Sequence, residues 1–250
     1  MILIGDRINS RIRNVKRAIK RRDEGYIRDL AVKQVNTCVF VDLFAEEKSD
    51  MLWLIEIVEP IGGFKLCIDT ADVDILDSAL SACRGEVMVN SISGEEKRLS
   101  EFIPLIKEYN ASCIALCMDE RGIPATAEER AEVGSKVLER CGEEGIEEVY
   151  FDPLVLPISI NDKNGLTTLK TLEILKRMDM KTTMGLTNIS YGLPSPSNIE
   201  NAFLALSFRY LDSVILNPWD EGIIELLRAC EAVSGRDKFC RNYLSAYRRV

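Results

Sequence analysis

Short apolar runs alternate along the chain with segments of helical periodicity. Eight runs have the composition of buried parallel strands, namely Ile2–Ile4, Val39–Leu43, Phe64–Ile68, Glu86–Val89, Ser112–Met118, Glu148–Phe151, Lys181–Leu186 and Asp212–Leu216. The predicted helices are Ser49–Val58 (with Ser49 as its cap), Asp72–Cys83, Glu95–Tyr109, Ala127–Cys141, Leu166–Met178, Ser197–Tyr210 and Glu221–Ser234. The strands end near residues 7, 42, 69, 90, 119, 152, 188 and 217. Because one βαβ unit takes about 30 residues, this spacing predicts eight consecutive βα units.

Eight βα units favour an α/β fold of the (β/α)8 TIM-barrel type. The length of 250 residues is typical of such a barrel. An open, doubly wound sheet is the alternative, but neither Gly-x-Gly-x-x-Gly after the first strand nor Gly-x-x-x-x-Gly-Lys-Ser/Thr occurs. No linker divides the chain, so we expect a single domain, 1–250. The longest irregular stretches, Pro153–Asn164 and Asn188–Asn198, are predicted to be functional loops.

Composition excludes several classes of function. The net charge of −8 argues against a nucleic-acid surface, and the basic run Lys16–Arg22 is interpreted as a solvated helix face or, less favoured, a docking patch. No apolar run approaches the roughly 18 residues of a membrane span, and Met1–Ile4 is too short for a signal-peptide core. We therefore expect a cytoplasmic protein. The eight cysteines include no Cys-x-x-Cys pair and are interpreted as reduced, buried side chains.

The chain contains no histidine. This absence excludes Ser-His-Asp and Cys-His nucleophile pairs, histidine acid–base steps and histidine-containing zinc sites. Catalysis must therefore use carboxylates, amides, hydroxyls, lysines or arginines.

Polar residues close four of the predicted strands. Asp69, Asn90, Asp152 and Asn188 each follow an apolar run, and in a TIM barrel such side chains converge on the mouth where chemistry occurs. Two carboxylates and two amides suit a flat heterocycle with many hydrogen-bonding groups better than a metal cluster, so no bound metal is expected. The alternative for each residue is a helix N-cap. Arg7, Asn9, Asp119 and Asn217 stand at other strand ends and are further candidates, although local capping or ion pairing would explain them equally well.

Six segments at these strand ends resemble the pterin-binding methyltransferases. They are Ile4-Gly5-Asp6-Arg7-Ile8-Asn9, Asp69-Thr70, Val89-Asn90-Ser91, Gly122-Ile123-Pro124, Asp152-Pro153-Leu154-Val155-Leu156-Pro157 and Gly185-Leu186-Thr187-Asn188-Ile189-Ser190-Tyr191-Gly192-Leu193-Pro194. The resemblance covers essentially the whole chain and is most specific in the last two segments. This family includes methyltetrahydrofolate:corrinoid protein methyltransferase and the folate module of cobalamin-dependent methionine synthase.

The resemblance implies a homodimeric pterin-binding barrel that transfers a methyl group between methyltetrahydrofolate and a corrinoid. It implies that Asp69, Asn90 and Asp152 hold the pterin, while Asn188 lies at N5 and serves catalysis. Corrinoid modules of this class carry an Asp-x-His-x-x-Gly motif, which a chain without histidine cannot contain, so the corrinoid (cobalamin) is expected on a separate protein. An exposed rim of Tyr191, Leu193 and Pro194 would suit its docking, although a loop packed on its own helix would explain these residues equally well.

The sequence departs from the family pattern at two strand ends. Asp6 stands where many members have Glu, and Phe44 stands where the family commonly has the Asn of Asp-x-Asn. Two alternatives remain. A dihydropteroate synthase would need a basic pair near Ile215–Pro218 to hold pyrophosphate, and none is present; a pterin-binding protein without catalysis would be consistent with Phe44.

Overall fold

A computed structural model describes residues 1–35 and 37–247; positions 36 and 248–250 of the predicted domain 1–250 lie outside them. Its strands are β1 (Ile2–Asn9), β2 (Phe40–Phe44), β3 (Lys65–Asp69), β4 (Val87–Ser93), β5 (Ser112–Leu116), β6 (Val149–Asp152), β7 (Lys181–Thr182) and β8 (Ser213–Leu216). Its α-helices are α1 (Arg13–Arg21), α2 (Glu24–Val32), α3 (Lys48–Val58), α4 (Val73–Ala82), α5 (Glu96–Glu108), α6 (Ala127–Glu143), α7 (Asn164–Arg177), α8 (Pro196–Ser207), α9 (Glu221–Val233) and α10 (Arg241–Tyr247).

The eight strands form one parallel sheet that closes into a barrel. Their order is β7-β6-β5-β4-β3-β2-β1-β8, so the two ends of this order must meet for closure. They meet where Gly185 bridges Ile215 in parallel and where the Ile215 N–H donates to the Met184 carbonyl at 2.9 Å. The predicted TIM barrel is confirmed.

Alternating side chains divide the core into two layers. The inner layer contains Ile4, Phe40, Cys67, Met88, Ile114 and Tyr150. Residues between them, such as Val41, Ile68 and Val89, face outward and are buried beneath the helices. Side chains two positions apart on a strand share a face. The residue two positions after an inner-layer residue, nearer the carboxyl end of the strand, therefore also points into the barrel.

The predicted seven helices are present, with corrections at their ends. The cap assigned to Ser49 was wrong, because α3 begins at Lys48 and its N-cap residue is Glu47. The bounds of α1 and α2, which together form the connection between β1 and β2, were not predicted from the sequence. The basic run lies largely on α1, where Val15, Ala18 and Ile19 face the core and Arg17 and Lys20 are exposed. It is therefore a helix face, as predicted.

The predicted strand Lys181–Leu186 is shorter than expected. Regular pairing in β7 covers Lys181–Thr182, and a 3₁₀-helix follows at Leu186–Ser190. The reason is visible in burial: Leu186 and Ile189 are both inaccessible to solvent. Residues three apart lie on one side of a 3₁₀-helix, so this turn buries both. Residues 187 and 188, which lie between them on this turn, follow the end of β7.

No helix of the described residues is long and apolar enough to cross a membrane.

Candidate functional site

Three neighbouring strands place Phe44, Asp69 and Asn90 side by side. Phe44 pairs in register with Asp69, and Asp69 pairs with Asn90. Asp69 and Asn90 each stand two residues after an inner-layer residue, so both face into the barrel. Asp152 has the same relation to Tyr150 on β6. The predicted convergence of Asp69, Asn90 and Asp152 on the interior of the mouth agrees with this geometry.

Asp42 is a site residue that sequence reasoning missed. It is buried beneath Asp69, and Asn90 Nδ2 donates to its Oδ1 at 3.1 Å. Burial, followed by the nearby Asp69 charge, raises the pKa of Asp42 to about 8. The signal was available, because Asp42 stands two residues after Phe40 on the inward face of a strand. One of the two Asn90 N–H bonds is used by Asp42, so among the described residues the second N–H and the amide oxygen of Asn90 remain free.

Asp69 and Asp152 are carboxylates in partly dry surroundings. Burial raises the pKa of each to about 6. Arg11 opposes this effect at Asp69, where its Nη1 lies 3.6 Å from Oδ2. At Asp152 the opposition comes mainly from backbone N–H groups, among them Leu154 N at 2.7 Å from Oδ1. Both side chains are therefore mainly charged at neutral pH, and buried charge of this kind favours a ligand that presents N–H donors.

Asp6 adds a further carboxylate at the mouth. Burial raises its pKa, and Arg7, with Nη1 at 3.6 Å from Oδ1, lowers it. Its charge also raises the pKa of Asp42. The interior of the mouth is thus acidic, and among the described residues Arg7, Arg11 and Arg130 are cations that lower the pKa values of its carboxylates.

Arg130 of α6 holds the turn that follows Asp152, a role that sequence reasoning missed. Its Nη1 donates to the carbonyls of Pro153 at 2.8 Å and Leu154 at 2.9 Å. Its Nε donates to the carbonyl of Pro124 at 3.0 Å. Arg130 is buried and so fastens the Gly-Ile-Pro and Asp-Pro-Leu segments to one helix. This brace fixes Leu154 in its left-handed conformation, φ 66°, beneath the Asp152 carboxylate.

Asn188 lies on the 3₁₀-helix, and its side chain is exposed. Within the described residues it makes no side-chain hydrogen bond. Glycine at 185 gives it space, because a Cβ there would stand 3.1 Å from Asn188 Nδ2. At the end of the turn, Ser190 Oγ donates to the buried Glu200 Oε1 at 2.5 Å. Asn188 is therefore a free amide on a fixed turn above the strand ends.

The two long loops support each other at the rim. The Ile158 N–H donates to the Ile189 carbonyl at 3.2 Å, and Ser159 Oγ donates to the Tyr191 carbonyl at 2.6 Å. The Tyr191 side chain remains 73% exposed. The loop after β6 and the segment carrying Asn188 thus form one surface.

The four principal residues do not cap helices. The helices that follow their strands have as N-cap residues Asp72, Glu95, Lys163 and Ser195. The capping alternative is therefore wrong for Asp69, Asn90, Asp152 and Asn188.

The further candidates have local partners. Asn9, Asp119 and Asn217 each accept the backbone N–H two residues later, at 2.9, 3.0 and 3.1 Å. Asp119 also pairs with Arg121. The Arg7 guanidinium lies 5.7 Å from the Trp219 ring centroid, beside Asp6. These contacts are those of turn-forming and ion-pairing residues at the edge of the site.

Among the residues that the structure describes, no group of three or more His, Cys, Asp or Glu side chains is placed to hold a metal ion.

The raised pKa of Asp42 predicts a pH-dependent stability. Between the ordinary pKa of 3.8 and about 8, the folded protein retains a proton that the unfolded chain releases. Stability contributed by this group is present below pH 4 and is lost as the pH rises to 8. We expect the melting temperature of Asp42→Asn to exceed that of the wild type by an amount that grows from pH 5 to pH 8. In a chain of this size each kcal/mol corresponds to roughly 2–4 °C.

Differential scanning calorimetry across this pH range checks the expectation. Asp162→Asn, at an exposed aspartate, is the matched control and should show no such growth. A difference that stays constant with pH would contradict an uncharged Asp42.

Comparison with known proteins identifies the family. The family described as pterin binding enzyme matches residues 9–206. A methylcorrinoid:tetrahydrofolate methyltransferase from Eubacterium limosum is 30% identical, and the alignment covers 100% of this chain and 97% of that protein. A methionine synthase from Mycobacterium tuberculosis is 26% identical over 72% of this chain and 16% of its own length.

Solved structures agree in fold. The dihydropteroate synthase from Xanthomonas albilineans in complex with 7,8-dihydropteroate superimposes with a TM-score of 0.69 at 14% identity, covering 93% of each chain. That from Stenotrophomonas maltophilia gives 0.71 at 14% identity, covering 93% of this chain and 92% of its own. At this identity the likeness concerns the barrel alone. The family match and the full-length relative go further, and they show that this chain belongs to the pterin-binding enzymes.

Proposed function

We propose that this chain is a methyltransferase that moves a methyl group between N5 of methyltetrahydrofolate and the cobalt of a corrinoid carried on a separate protein. The observation that carries the proposal is the inward-facing set Asp69, Asn90 and Asp152, with the free amide of Asn188 above it. Full-length similarity to a methylcorrinoid:tetrahydrofolate methyltransferase favours this activity over other pterin chemistry.

The proposed pterin site matches the hydrogen-bonding edge of the ring. Asp152 accepts the ring N–H and amino group through parallel bonds, and Asp69 accepts from a second edge. Asn90 contributes its amide oxygen and its second N–H, because its first N–H is bonded to Asp42. A ring rich in N–H groups thereby provides the partners that these poorly solvated carboxylates otherwise lack.

Asn188 is proposed to stabilise the reacting nitrogen. N5 keeps the electron pair of the broken N5–methyl bond, so it must be protonated before or during the transfer if tetrahydrofolate is to leave as a neutral amine. The Asn188 oxygen accepts a hydrogen bond from protonated N5, and the bond assists the reaction to the extent that it strengthens as charge develops. The proton reaches N5 from solvent by way of water and the carboxylates of the mouth.

The corrinoid protein is proposed to dock on the rim formed by Tyr191, Leu193 and Pro194. Tyr191 is largely exposed there, beside the turn that carries Asn188. We further propose that residues 1–250 act as a single domain, that two copies form a homodimer, and that the protein is cytoplasmic.

Dihydropteroate synthesis has less support. The end of β8 reads Ile215-Leu216-Asn217-Pro218 without a basic pair, and the Asn217 oxygen accepts the Trp219 N–H. Residues 213–220, all of which the structure describes, contain no lysine or arginine of their own to hold a pyrophosphate.

An anaerobic spectrum tests the proposal. Cob(I)alamin, methyltetrahydrofolate and the protein are mixed, and we expect protein-dependent conversion to methylcobalamin. Heat-denatured protein is the control. Calorimetric binding of methyltetrahydrofolate without conversion would favour the non-catalytic pterin-binding alternative, whereas absence of binding would overturn the assignment of the site.

A further inference from the structure

Arg11 lies over the acidic mouth of the barrel, on the turn between β1 and α1. Its Cζ is 3.8 Å from the centroid of the Phe44 ring, and its Nη1 is 3.6 Å from Asp69 Oδ2. Two bonds fix the turn that carries it. The Arg11 N–H donates to Asn9 Oδ1 at 2.9 Å, and the Ser10 N–H donates to the Phe44 carbonyl at 3.0 Å. The guanidinium is thereby placed between an aromatic face and a ring-binding carboxylate.

The charge balance of the mouth gives this contact its importance. Burial, then the charges of Asp69 and Asp6, raise the pKa of Asp42 to about 8, so the negative charge of the Asp42–Asp69 pair rests on Asp69 at neutral pH. Within the described residues, Arg11 is the cation within ion-pair distance of Asp69. The Arg11 side chain is 65% exposed, so a simple surface ion pair would be weak and mobile. Packing on Phe44 restricts its motion, because a guanidinium is attracted to the face of an aromatic ring.

We propose that Arg11, held on Phe44, is a positioning residue for pterin binding that keeps the Asp69 carboxylate charged and directed into the barrel. The inference rests on the proposed function, in that the ligand is the N–H-bearing ring. It also assigns a role to Phe44, at which the chain departs from the family pattern. An amide side chain at 44 would offer no aromatic face to the guanidinium.

The sign of the expected pH effect follows from the neighbours of Asp69. Burial raises its pKa to about 6, and Arg11 lowers it. The other groups at this place are Asp42, which keeps its proton up to about pH 8, Asp6, the Cys67 thiol, which bonds to Asp42, and the neutral Asn90. Removing Arg11 therefore raises the pKa of Asp69, and the charged form that accepts ring N–H groups is lost at a higher pH. A purely structural role for Arg11 would not move this profile.

Two measurements on the full chain test the proposal. NMR of protein labelled with ¹³C at the aspartate side-chain carboxyl carbon (Cγ) follows the titration of Asp69 without ligand. The Asp69 resonance is assigned as the one that is lost in Asp69→Asn. Calorimetry reports the affinity for methyltetrahydrofolate between pH 5.5 and 8. The variants are Arg11→Met, Arg11→Lys and Phe44→Leu. The matched control is Arg13→Met, which removes an exposed cation two residues away.

We expect the Asp69 midpoint to rise by about 0.5–1 pH unit in Arg11→Met, less in Phe44→Leu, and to remain near that of the wild type in Arg11→Lys and Arg13→Met. At pH 6.5 binding should weaken about 1.5- to threefold in Arg11→Met, and by pH 8 the difference should nearly vanish. An unchanged midpoint in Arg11→Met would overturn the inference. A shifted midpoint with wild-type protein that binds no methyltetrahydrofolate would instead overturn the proposed function and reduce the pair to a structural one.

Discussion

Replacing Asn188 by alanine is expected to slow methyl transfer about 100- to 1000-fold, the usual cost of removing one hydrogen bond aimed at a developing charge. The reason is the position of the amide on the 3₁₀-helix Leu186–Ser190, where it is exposed and bonded to no described side chain. The Asn188 amide is therefore expected to contribute mainly through its hydrogen bond to N5 in the reacting complex. Affinity for methyltetrahydrofolate should change much less than the rate. Single-turnover formation of methylcobalamin, with calorimetry of binding, separates the two effects.

The matched control is Asn198→Ala, which removes an exposed amide from the first turn of α8. Melting temperatures of both variants should equal that of the wild type, because neither side chain is packed. If Asn188→Ala retains the full rate, another group must stabilise N5, and the role given to Asn188 is refuted.

Asp152→Asn is expected to weaken methyltetrahydrofolate binding about 30- to 5000-fold, in line with the 2–5 kcal/mol cost of breaking a buried, charge-assisted contact. The carboxylate is buried at the end of β6, and the amide that replaces it can accept only one of two parallel N–H bonds. Wild-type binding should also weaken as the pH falls through about 6, where Asp152 takes up a proton. The residual binding of the variant should lack the part of this pH dependence that belongs to residue 152. Calorimetric titrations at pH 5.5 and 7.5 measure both effects.

Folding provides the internal check on Asp152→Asn. The raised pKa means that the charged carboxylate costs stability at pH 7, so the variant should melt no lower than the wild type there. Asp162→Asn, an exposed aspartate farther along the same loop, should bind normally. A folded Asp152→Asn protein with undiminished affinity would show that the pterin does not lie on this strand end.

The barrel was predictable because its signal is local and repeated. Each buried strand was predicted from an apolar run, each except the first is followed by a predicted helix, and eight repeats exclude most other arrangements. The convergence of Asp69, Asn90 and Asp152 followed from the same logic, since the carboxyl ends of parallel strands meet at one mouth. These predictions needed only the period of the sequence and the geometry of the fold.

The residues that sequence reasoning missed are defined by partners far away in the chain. Asp42 meets Asn90 across 48 positions, and Arg130 reaches Leu154 across 24. The strand period could place Asp42 on the inward face, but no period or motif predicts that it pairs with Asn90, or that Arg130 pairs with Leu154. The predicted end of β7 was wrong for a different reason. A strand that continues to Leu186 and a strand that gives way to a 3₁₀ turn both bury Leu186, so the sequence of Lys181–Leu186 does not distinguish them.

The three carbonyl groups that accept hydrogen bonds from Arg130 determine which segments of this barrel could be transplanted into another barrel. The turns at Pro124 and Pro153–Leu154 belong to different βα units, yet both depend on a single side chain of α6. A chimera that imports either loop without the helix would leave buried carbonyl oxygens without a donor, at about 1–3 kcal/mol for each. The transplantable module is therefore the pair of loops together with the helix between them.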